Sequence, residues 1–281
     1  PLALASLSRS TPYAVRIGGD FLWEQRFLSS GMAPVSLREF YNRNLQEAPR
    51  YRVLFMIIRF VLTRAAWVVF NSDEQRTLYV EEYGLSHKRV STIANAFPSV
   101  DADIVRGGPT HEFVFAGRFV AMKNIDSLVR AFKRANIDPY RLLLIGDGPT
   151  KESIATLVQE LDLSERVTLL PGMRHMELLK RIKDCRALVL PSWTDISPNQ
   201  IYEAVMIGLP SLVTKENFLP FRKELPEMID PTSIDDIAAK LRLLAADDTY
   251  HDFVTRFARI SSSRSWRDII HEHLAIFASI M

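Results

Sequence analysis

Two segments of the sequence carry residue types that suit a charged ligand. In the first, Gly117 and Arg118 are followed five residues later by Lys123. Glycine lets the backbone approach a ligand closely, the arginine fork matches phosphate oxygens, and lysine adds a mobile point charge. The two cations therefore suit a diphosphate. A solvated basic loop in front of a helix fits the same spacing equally well.

The second segment, residues 191–204, reads PSWTDISPNQIYEA. It predicts a helix with Ser197 as the N-cap and Pro198 as the first helical residue. The backbone amides of Asn199 and Gln200 would then be free to form an anion site at the helix N-terminus.

Two carboxylates in that segment are candidates for binding sugar hydroxyls. Asp195 lies just before the predicted helix, and Glu203 lies near its second turn. A carboxylate in the second position suits a pair of hydroxyl groups, because each oxygen accepts hydrogen bonds. Taken alone, the pattern favours a simpler interpretation, a loop aspartate and a glutamate that interacts with the helix dipole.

Alternating strand-like and helix-like segments surround these residues and predict an α/β fold. The apolar runs FVFA, LLLI and ALVL are typical of strands in a sheet that helices cover on both faces. The predicted strands are 13–17, 67–70, 89–94, 112–116, 141–145, 166–170, 187–190 and 211–214. The predicted helices are 36–64, 73–83, 124–135, 150–161, 176–183, 198–207, 233–246, 248–260 and 266–279. Open α/β sheets bind ligands at the carboxyl ends of their strands, so the site is expected around positions 117, 146–148, 172 and 192–203.

Length and composition restrict the class of protein. The 281 residues suggest about two domains. Hydrophobic residues make up 47% and charged residues 24%, which excludes a mainly disordered chain and a polytopic membrane protein. One cysteine, Cys185, excludes a disulfide framework, and a net charge of +2 gives no argument for nucleic acid. We expect a cytoplasmic protein, because the sequence has neither a secretory signal nor a run of about 20 apolar residues.

The first 64 residues are unusually basic, with nine arginines, no lysine and four acidic residues. Arg52 and Arg59 lie seven positions apart, on one face of an otherwise apolar helix over 53–62. Such a helix can lie at a membrane surface or meet a lipid-phosphate acceptor. It can also be an ordinary packed helix whose arginine stems cover apolar surface, and this second interpretation is favoured.

Two further patterns are weaker evidence for a ligand site. The run LLLIGDGP at 142–149 has two glycines of a dinucleotide fingerprint but lacks the third, which argues against NAD. Asp101 and Asp103 resemble an acidic pair that holds a metal in some sugar transferases. They lie in a turn-rich linker, 98–109, without a preceding strand, so we interpret them as coincidental and expect no metal site.

Four motifs occur in order over about 100 residues: GRFVAMKNIDSLVRAF, LLLIGDGP, VTLLPGM and PSWTDISPNQIYEAVMIGLP. Together they resemble the C-terminal half of glycosyltransferase family 4, a retaining family with the GT-B fold of two Rossmann-like domains. The resemblance implies an acceptor-side domain over 1–105, a nucleotide-sugar-binding domain over 106–262, and a closing helix over 263–281. The family's first strand and glycine-rich loop have no counterpart, which implies an incomplete, truncated N-terminal domain.

The resemblance also implies a role for each candidate residue. Arg118 and Lys123 match the diphosphate-binding pair, Glu203 the ribose-binding acid, and Asp195 an acid beside the donor sugar, where the family has Glu. The remaining matches are Gly172 and Met173 beside the base, and the amides of Asn199 and Gln200 at the donor phosphate. Gly117 is a candidate for its place at a strand end, where the backbone can approach the ligand. Where the family has a histidine near the reacting centre, this sequence offers Asp20.

The expected activity is retaining transfer of a sugar from a nucleotide diphosphate sugar to a glycan or lipid-linked hydroxyl, in polysaccharide or glycolipid synthesis. No cofactor is implied. Two alternatives stay open: another GT-B enzyme, such as a sugar-nucleotide epimerase, and a non-catalytic sugar-nucleotide-binding subunit. A truncated chain is expected to bind its donor better than it transfers sugar.

Overall fold

The computed structural model describes residues 11–28, 33–98, 104–261 and 264–281, which contain two parallel sheets. The first has three strands in the order β1-β2-β3: β1 (Ala14–Ile17), β2 (Trp67–Phe70) and β3 (Val90–Thr92). The second has six strands, β4 (Glu112–Ala116), β5 (Arg141–Ile145), β6 (Val167–Leu170), β7 (Ala187–Leu190), β8 (Ser211–Thr214) and β9 (Met228–Ile229). Their order is β6-β5-β4-β7-β8-β9, and every pair is parallel. The predicted α/β class with parallel sheets is confirmed.

Eleven α-helices connect and cover these strands within the described residues. In the first part of the chain they are α1 (Phe21–Glu24), α2 (Leu37–Asn42), α3 (Pro49–Arg64) and α4 (Asp73–Tyr83). In the second they are α5 (Ile125–Ala135), α6 (Lys151–Glu160), α7 (His175–Ile182), α8 (Asn199–Met206), α9 (Ile234–Ala245), α10 (Asp247–Phe257) and α11 (Trp266–Ile280).

The largest difference from the predicted elements lies in residues 36–64, which form two helices instead of one. Asn44 adopts the left-handed conformation at φ +53° after α2, and a 3₁₀ turn, Leu45–Glu47, follows. Pro49 then begins α3, where its missing N–H costs no helical hydrogen bond. The helix α1 and the strand β9 were not predicted, because four and two residues are too few to show a periodicity.

Each sheet has its own core. The strands of the second sheet are buried on both faces, as their continuous apolar runs predict. The first sheet packs mainly against α2, α3 and α4. The last helix, α11, returns to the first sheet, where Ile269 contacts Val69 and Ile93 and where Arg16 Nη1 lies 3.0 Å from His273 Nε2.

Direct contacts hold the two halves together. The Leu37 amide donates to Thr194 Oγ1 at 2.8 Å, and the Arg38 guanidinium lies 4.3 Å from the centre of the Phe218 ring. Asn95 Nδ2 donates to Asn199 Oδ1 at 3.2 Å. Loops at the carboxyl ends of strands in both sheets therefore border one cleft.

Some expectations fall outside what the structure describes. Asp101 and Asp103 lie outside the described residues, and the domain limits at 105 and 262 adjoin such gaps and stay predictions. Among the described residues, no cluster of three or more His, Cys, Asp or Glu side chains could hold a metal ion. None of the described helices is long and apolar enough to cross a membrane.

Candidate active site

A cavity of about 370 Å³ opens at the carboxyl ends of β4 and β5. Half of the ten site residues predicted from the sequence line it: Gly117, Arg118, Gly172, Met173 and Gln200. These five residues are up to 83 positions apart in the chain. The fold thus assembles much of the predicted donor site in one place.

The floor of this cavity is main chain. Gly117 has φ +149° and Gly146 has φ +152°, conformations that residues with a side chain rarely adopt. A Cβ atom at Gly146 would lie 1.8 Å from the carbonyl oxygen of Gly117. Both glycines are therefore required for the two strand exits to lie against each other and leave a backbone surface open to a ligand.

The two predicted cations differ in their surroundings. Arg118 is exposed, and its side chain makes no hydrogen bond or ion pair within the described part of the chain. Lys123 ends a 3₁₀ turn, Ala121–Lys123, and its Nζ donates to Asp195 Oδ1 at 2.6 Å. Arg118 is thus available to an anion, whereas Lys123 already shares its charge with a carboxylate.

Asp195 is 3% exposed and rigidly held. Its amide donates to the Glu216 carbonyl, and its own carbonyl accepts from the Phe218 amide, both at 3.0 Å. While Lys123 occupies Oδ1, the buried Oδ2 has no hydrogen-bond partner among the described residues. An unsatisfied buried acceptor costs roughly 1–3 kcal/mol. The arrangement therefore suits a ligand that brings a hydroxyl to this oxygen.

The start of α8 differs from its prediction by one residue. Ser197 is not the N-cap: it has φ +55°, and its Oγ lies 2.9 Å from the Tyr202 hydroxyl. Pro198 occupies the cap position, because the left-handed turn at Ser197 delays the helix by one residue. Asn199 and Gln200 are consequently the first two helical residues, and such amides have no partner within a helix. The geometry predicted for their anion site is thus present.

The side chains of these two residues have structural partners. Gln200 Nε2 donates to the Ala116 carbonyl at 2.5 Å and so ties α8 to the end of β4. Asn199 Oδ1 accepts from Asn95 across the cleft. A ligand at the start of α8 would therefore meet main-chain amides.

Glu203 lies on the second turn of α8, as predicted, and is mostly buried. Its Oε1 is 3.0 Å from Nε2 of His175, the first residue of α7. His175 was missed by the sequence reasoning, because the contact joins two helices that lie 28 positions apart.

Asp147 lies within positions 146–148, where the site was expected, but no role was predicted for its side chain. Its Oδ2 accepts from the Gly172 amide at 2.9 Å and its Oδ1 from Lys151 Nζ at 2.5 Å. These hydrogen bonds, that of Lys151 foremost, lower the pKa of the Asp147 carboxyl. The charged carboxylate thereby fixes the Gly172 turn beside the cavity.

The structure contradicts the prediction for Asp20. This side chain is 1% exposed and caps α1, with Oδ1 accepting from the Trp23 amide at 2.8 Å. Its Oδ2 accepts from the hydroxyls of Tyr41 and Tyr79, both at 2.7 Å. Burial raises the pKa of Asp20, and the three hydrogen bonds oppose that shift. Both oxygens are satisfied inside the protein, so Asp20 has no oxygen left for a ligand.

A carboxylate near Arg118 and Lys123 belongs to Glu24, the last residue of α1. Glu24 is half-buried, and its side chain has no hydrogen-bond or ion-pair partner among the residues described. Burial and the neighbouring Asp20 raise the pKa of Glu24, whereas the charges of Arg118 and Lys123 lower it. Glu24 lies outside the four motifs that carry the family resemblance, so the sequence reasoning did not identify it.

Comparison with known proteins supports this organisation. Residues 101–259 match the family model described as glycosyl transferases group 1. An exopolysaccharide phosphotransferase of Streptomyces coelicolor is 26% identical over 208 residues, which are 68% of this chain and 22% of that protein. A D-inositol 3-phosphate glycosyltransferase of Mycobacterium tuberculosis is 26% identical over 179 residues, 57% of this chain and 36% of that protein. The chain thus spans well under half the length of these curated relatives.

Solved structures resemble most of the chain. Sucrose-phosphate synthase from Thermosynechococcus elongatus superimposes with a TM-score of 0.72 at 18% identity, covering 99% of this chain and 70% of that one. HepE from Anabaena, in complex with UDP and glucose, gives 0.70 at 18% identity, covering 99% and 74%. At such identities the likeness concerns the fold, and the predicted GT-B fold is confirmed.

Proposed function

The chain belongs to the glycosyl transferases group 1 family, and we propose that it transfers a sugar from a nucleotide diphosphate sugar to an acceptor hydroxyl, with retention at the anomeric carbon. The observation that carries this proposal is the state of Asp195, a buried carboxylate with one oxygen on Lys123 and the other without a partner. The loop that carries Lys123 also carries Arg118, which lines the glycine-floored cavity and whose side chain has no partner among the described residues. This combination suits a ligand that is both a polyol and an anion.

The donor's diphosphate would lie between Arg118, Lys123 and the amides of Asn199 and Gln200. Such groups stabilise anionic oxygens, since helix N-termini and guanidinium forks both direct N–H groups at them. Glu203 would accept hydrogen bonds from the ribose hydroxyls once the nucleotide displaces His175.

The base would lie in the cavity beside Gly172 and Met173, with Gly117 under the phosphates. Asp195 Oδ2 would accept a hydroxyl of the transferred sugar. This hydrogen bond satisfies the buried oxygen and orients the anomeric carbon.

In the reaction, the acceptor oxygen forms a bond to the anomeric carbon as the bond from that carbon to the phosphate oxygen breaks. The electron pair of the broken bond stays on the nucleotide diphosphate, which also takes the acceptor's proton. Arg118, Lys123 and the α8 amides stabilise the charge that develops on this leaving group. We therefore expect turnover to persist in EDTA, because these groups supply the positive charge that a metal would provide.

A thermal-shift screen with UDP-, GDP- and ADP-sugars identifies the donor, and turnover then tests the site. Replacing Arg118 or Lys123 with Ala should lower kcat by about 10²-fold, by analogy with the loss of one charge-stabilising donor. Lys133→Ala, an exposed lysine on α5, is the matched control. Near-normal turnover of the Arg118→Ala/Lys123→Ala double variant would overturn the assignment.

The same assay separates the alternative functions. An epimerase would convert the sugar nucleotide without an acceptor, and a binding subunit would shift in the thermal screen without any turnover. Transfer predicts release of the nucleotide diphosphate together with a product that contains both sugar and acceptor.

An acceptor at a membrane surface is favoured by the exposed face of α3. Val53, Met56, Ile57 and Phe60 form an apolar stripe on that face, each at least 39% exposed. The helix also carries Arg50, Arg52, Arg59 and Arg64 and no acidic residue. An exposed apolar stripe with basic residues suits the interface of an anionic membrane. We therefore propose a cytoplasmic protein that binds such a membrane peripherally and uses a glycan or lipid-linked acceptor there.

Co-sedimentation with vesicles tests the membrane contact. The chain should sediment with vesicles of phosphatidylglycerol and phosphatidylcholine and much less with phosphatidylcholine alone. Ile57→Ser/Phe60→Ser should abolish this difference. Binding that is independent of anionic lipid, or unchanged in the double variant, would rule out this surface.

A further inference from the structure

We propose that Glu24 is an acceptor-binding residue, whose carboxylate accepts a hydrogen bond from the hydroxyl that attacks the donor sugar. This inference rests on the proposed transfer reaction. It assigns a role to the part of the chain before β4, which contains none of the residues expected to bind the donor.

The first support is the way in which the fold holds Glu24. Asp20 caps the short helix α1 from inside the protein, and Tyr41 and Tyr79 anchor Asp20 in turn. The Glu24 side chain folds back over Gly19, where a Cβ atom would lie 3.0 Å from Glu24 Oε1. Gly19 thus leaves the space that this carboxylate occupies.

The second support is the lack of a partner. A half-buried carboxylate normally finds a hydrogen-bond donor or a cation, since burial without one is costly. Glu24 has neither among the described residues, although Arg118 and Lys123 lie near enough to affect its pKa. A substrate hydroxyl that donates a hydrogen bond would satisfy the Glu24 carboxylate.

The third support is the location. The residues expected to bind the donor, from Gly117 to Glu203, all follow β4, whereas Glu24 follows β1. Arg26 and Phe27, which closely follow Glu24, line a cavity together with Val120 and Ala121 of the loop that carries Arg118 and Lys123. The part of the chain that holds Glu24 therefore borders the loop that holds the two cations. An acceptor hydroxyl between Glu24 and the donor would be oriented by Glu24 and would react with the donor.

The hydrogen bond from the acceptor would direct its oxygen lone pair at the anomeric carbon. The proton still ends on the leaving diphosphate, so Glu24 returns unchanged after each turnover. Its effect should appear in the reaction with the acceptor and not in donor binding.

Glu24→Gln tests this role, with Glu81→Gln on the exposed face of α4 as the control. The assay measures release of nucleotide diphosphate from UDP-, GDP- and ADP-hexoses, with water alone and with a panel of alkyl glycosides. Glu24→Gln should lower glycoside-dependent release by about 10-fold or more, as expected for lost orientation of a reactant. Release to water and the Kd for UDP should stay within about 3-fold of the wild-type values, because both depend on the donor site.

A second pair of variants moves the carboxylate without removing it. Gly19→Ala places a methyl group against Glu24 Oε1, whereas Gly18→Ala meets no atom within 4 Å. Gly19→Ala should reproduce the loss of glycoside-dependent release, and Gly18→Ala should not. Unchanged thermal midpoints for all four variants would exclude unfolding as the cause.

The outcomes separate this inference from the proposed function. A wild-type chain that releases nothing from any donor contradicts the transfer reaction itself. If the wild type is active, equal losses of release to water and to glycosides would make Glu24 a donor-site residue and overturn the inference. An unchanged glycoside-dependent rate in Glu24→Gln would also overturn it. If the wild type releases only to water, a loss in Glu24→Gln contradicts the inference and an unchanged rate supports it.

Discussion

Asp20 and Asp195 are both buried aspartates near the cleft, yet their surroundings are opposite. Asp20 receives three hydrogen bonds, from the Trp23 amide and two tyrosine hydroxyls, and both of its oxygens are used. Asp195 receives one side-chain hydrogen bond, from Lys123, and its second oxygen has none. Burial alone therefore does not distinguish a structural carboxylate from a functional one.

The two sites differ in whether the protein itself supplies a hydrogen-bond donor to each carboxylate oxygen. At Asp20 the protein supplies every donor, so the group stabilises α1 and the tyrosine cluster around it. At Asp195 the protein leaves an acceptor open in a buried position, which costs stability unless a substrate fills it. Substitutions should therefore affect folding at the first site and turnover at the second.

The largest expected effect is on turnover at Asp195. Asp195→Asn keeps the shape but removes the charge, and it should lower kcat by about 10²–10³-fold if the carboxylate orients the donor sugar during transfer. Stability should change by only about 1 kcal/mol, because Lys123 is partly exposed and stays solvated. Steady-state kinetics with the identified donor and urea unfolding measure the two quantities. A kcat close to that of the wild type would remove the distinction between the two aspartates.

The next largest effect is on stability at Asp20. Asp20→Ala deletes an N-cap and removes the carboxylate to which two buried tyrosine hydroxyls donate, for a total of about 3 kcal/mol. Asp20→Asn should cost less, because an amide oxygen still caps the helix and the amide N–H groups can donate to the tyrosine oxygens. Urea unfolding measures both variants. If Asp20→Ala were as stable as the wild type, the network would have no structural role.

A smaller effect concerns pH. Because burial raises the folded-state pKa of Asp20, the folded chain binds this proton more tightly than the unfolded chain does. The stability that Asp20 contributes is thus full below the ordinary carboxyl range and is lost as the pH rises through the raised value. Asp20→Asn, which does not titrate, should gain stability relative to the wild type as the pH rises above the ordinary carboxyl range. A difference that stays constant as the pH rises would contradict the sign.

The smallest effect is expected at His175, the protein partner of Glu203. The histidine of this pair is largely exposed, and contacts of this kind contribute about 1 kcal/mol or less. His175→Ala should therefore change the Kd for UDP by less than about 5-fold, a much smaller effect than that of Asp195→Asn on kcat. Isothermal titration with UDP measures this Kd. A much larger loss would make His175 a ligand contact in its own right.

Much of the scaffold was predictable because its signals are local. The strands Glu112–Ala116 and Arg141–Ile145 have the predicted limits, since continuous apolar runs predict doubly covered strands. Gly84, at φ +66°, ends α4 as its position in the sequence predicts. By contrast, the left-handed Asn44 divides one predicted helix in two, and the left-handed Ser197, whose Oγ lies 2.9 Å from the Tyr202 hydroxyl, delays the start of another.

The candidate site divides in the same way. By itself, the sequence determined which residue types lie at the ends of the strands, and so the α/β class and the polar lining around Gly117, Gly172 and Glu203. Only the tertiary structure decided which groups each carboxylate meets: Asp195 meets Lys123 over 72 positions, Asp20 meets the tyrosine hydroxyls, and Glu24 lies near Arg118 and Lys123. The physical reason is that secondary structure follows from neighbouring residues. The hydrogen bonds of a buried carboxylate depend instead on which distant segments the core brings together.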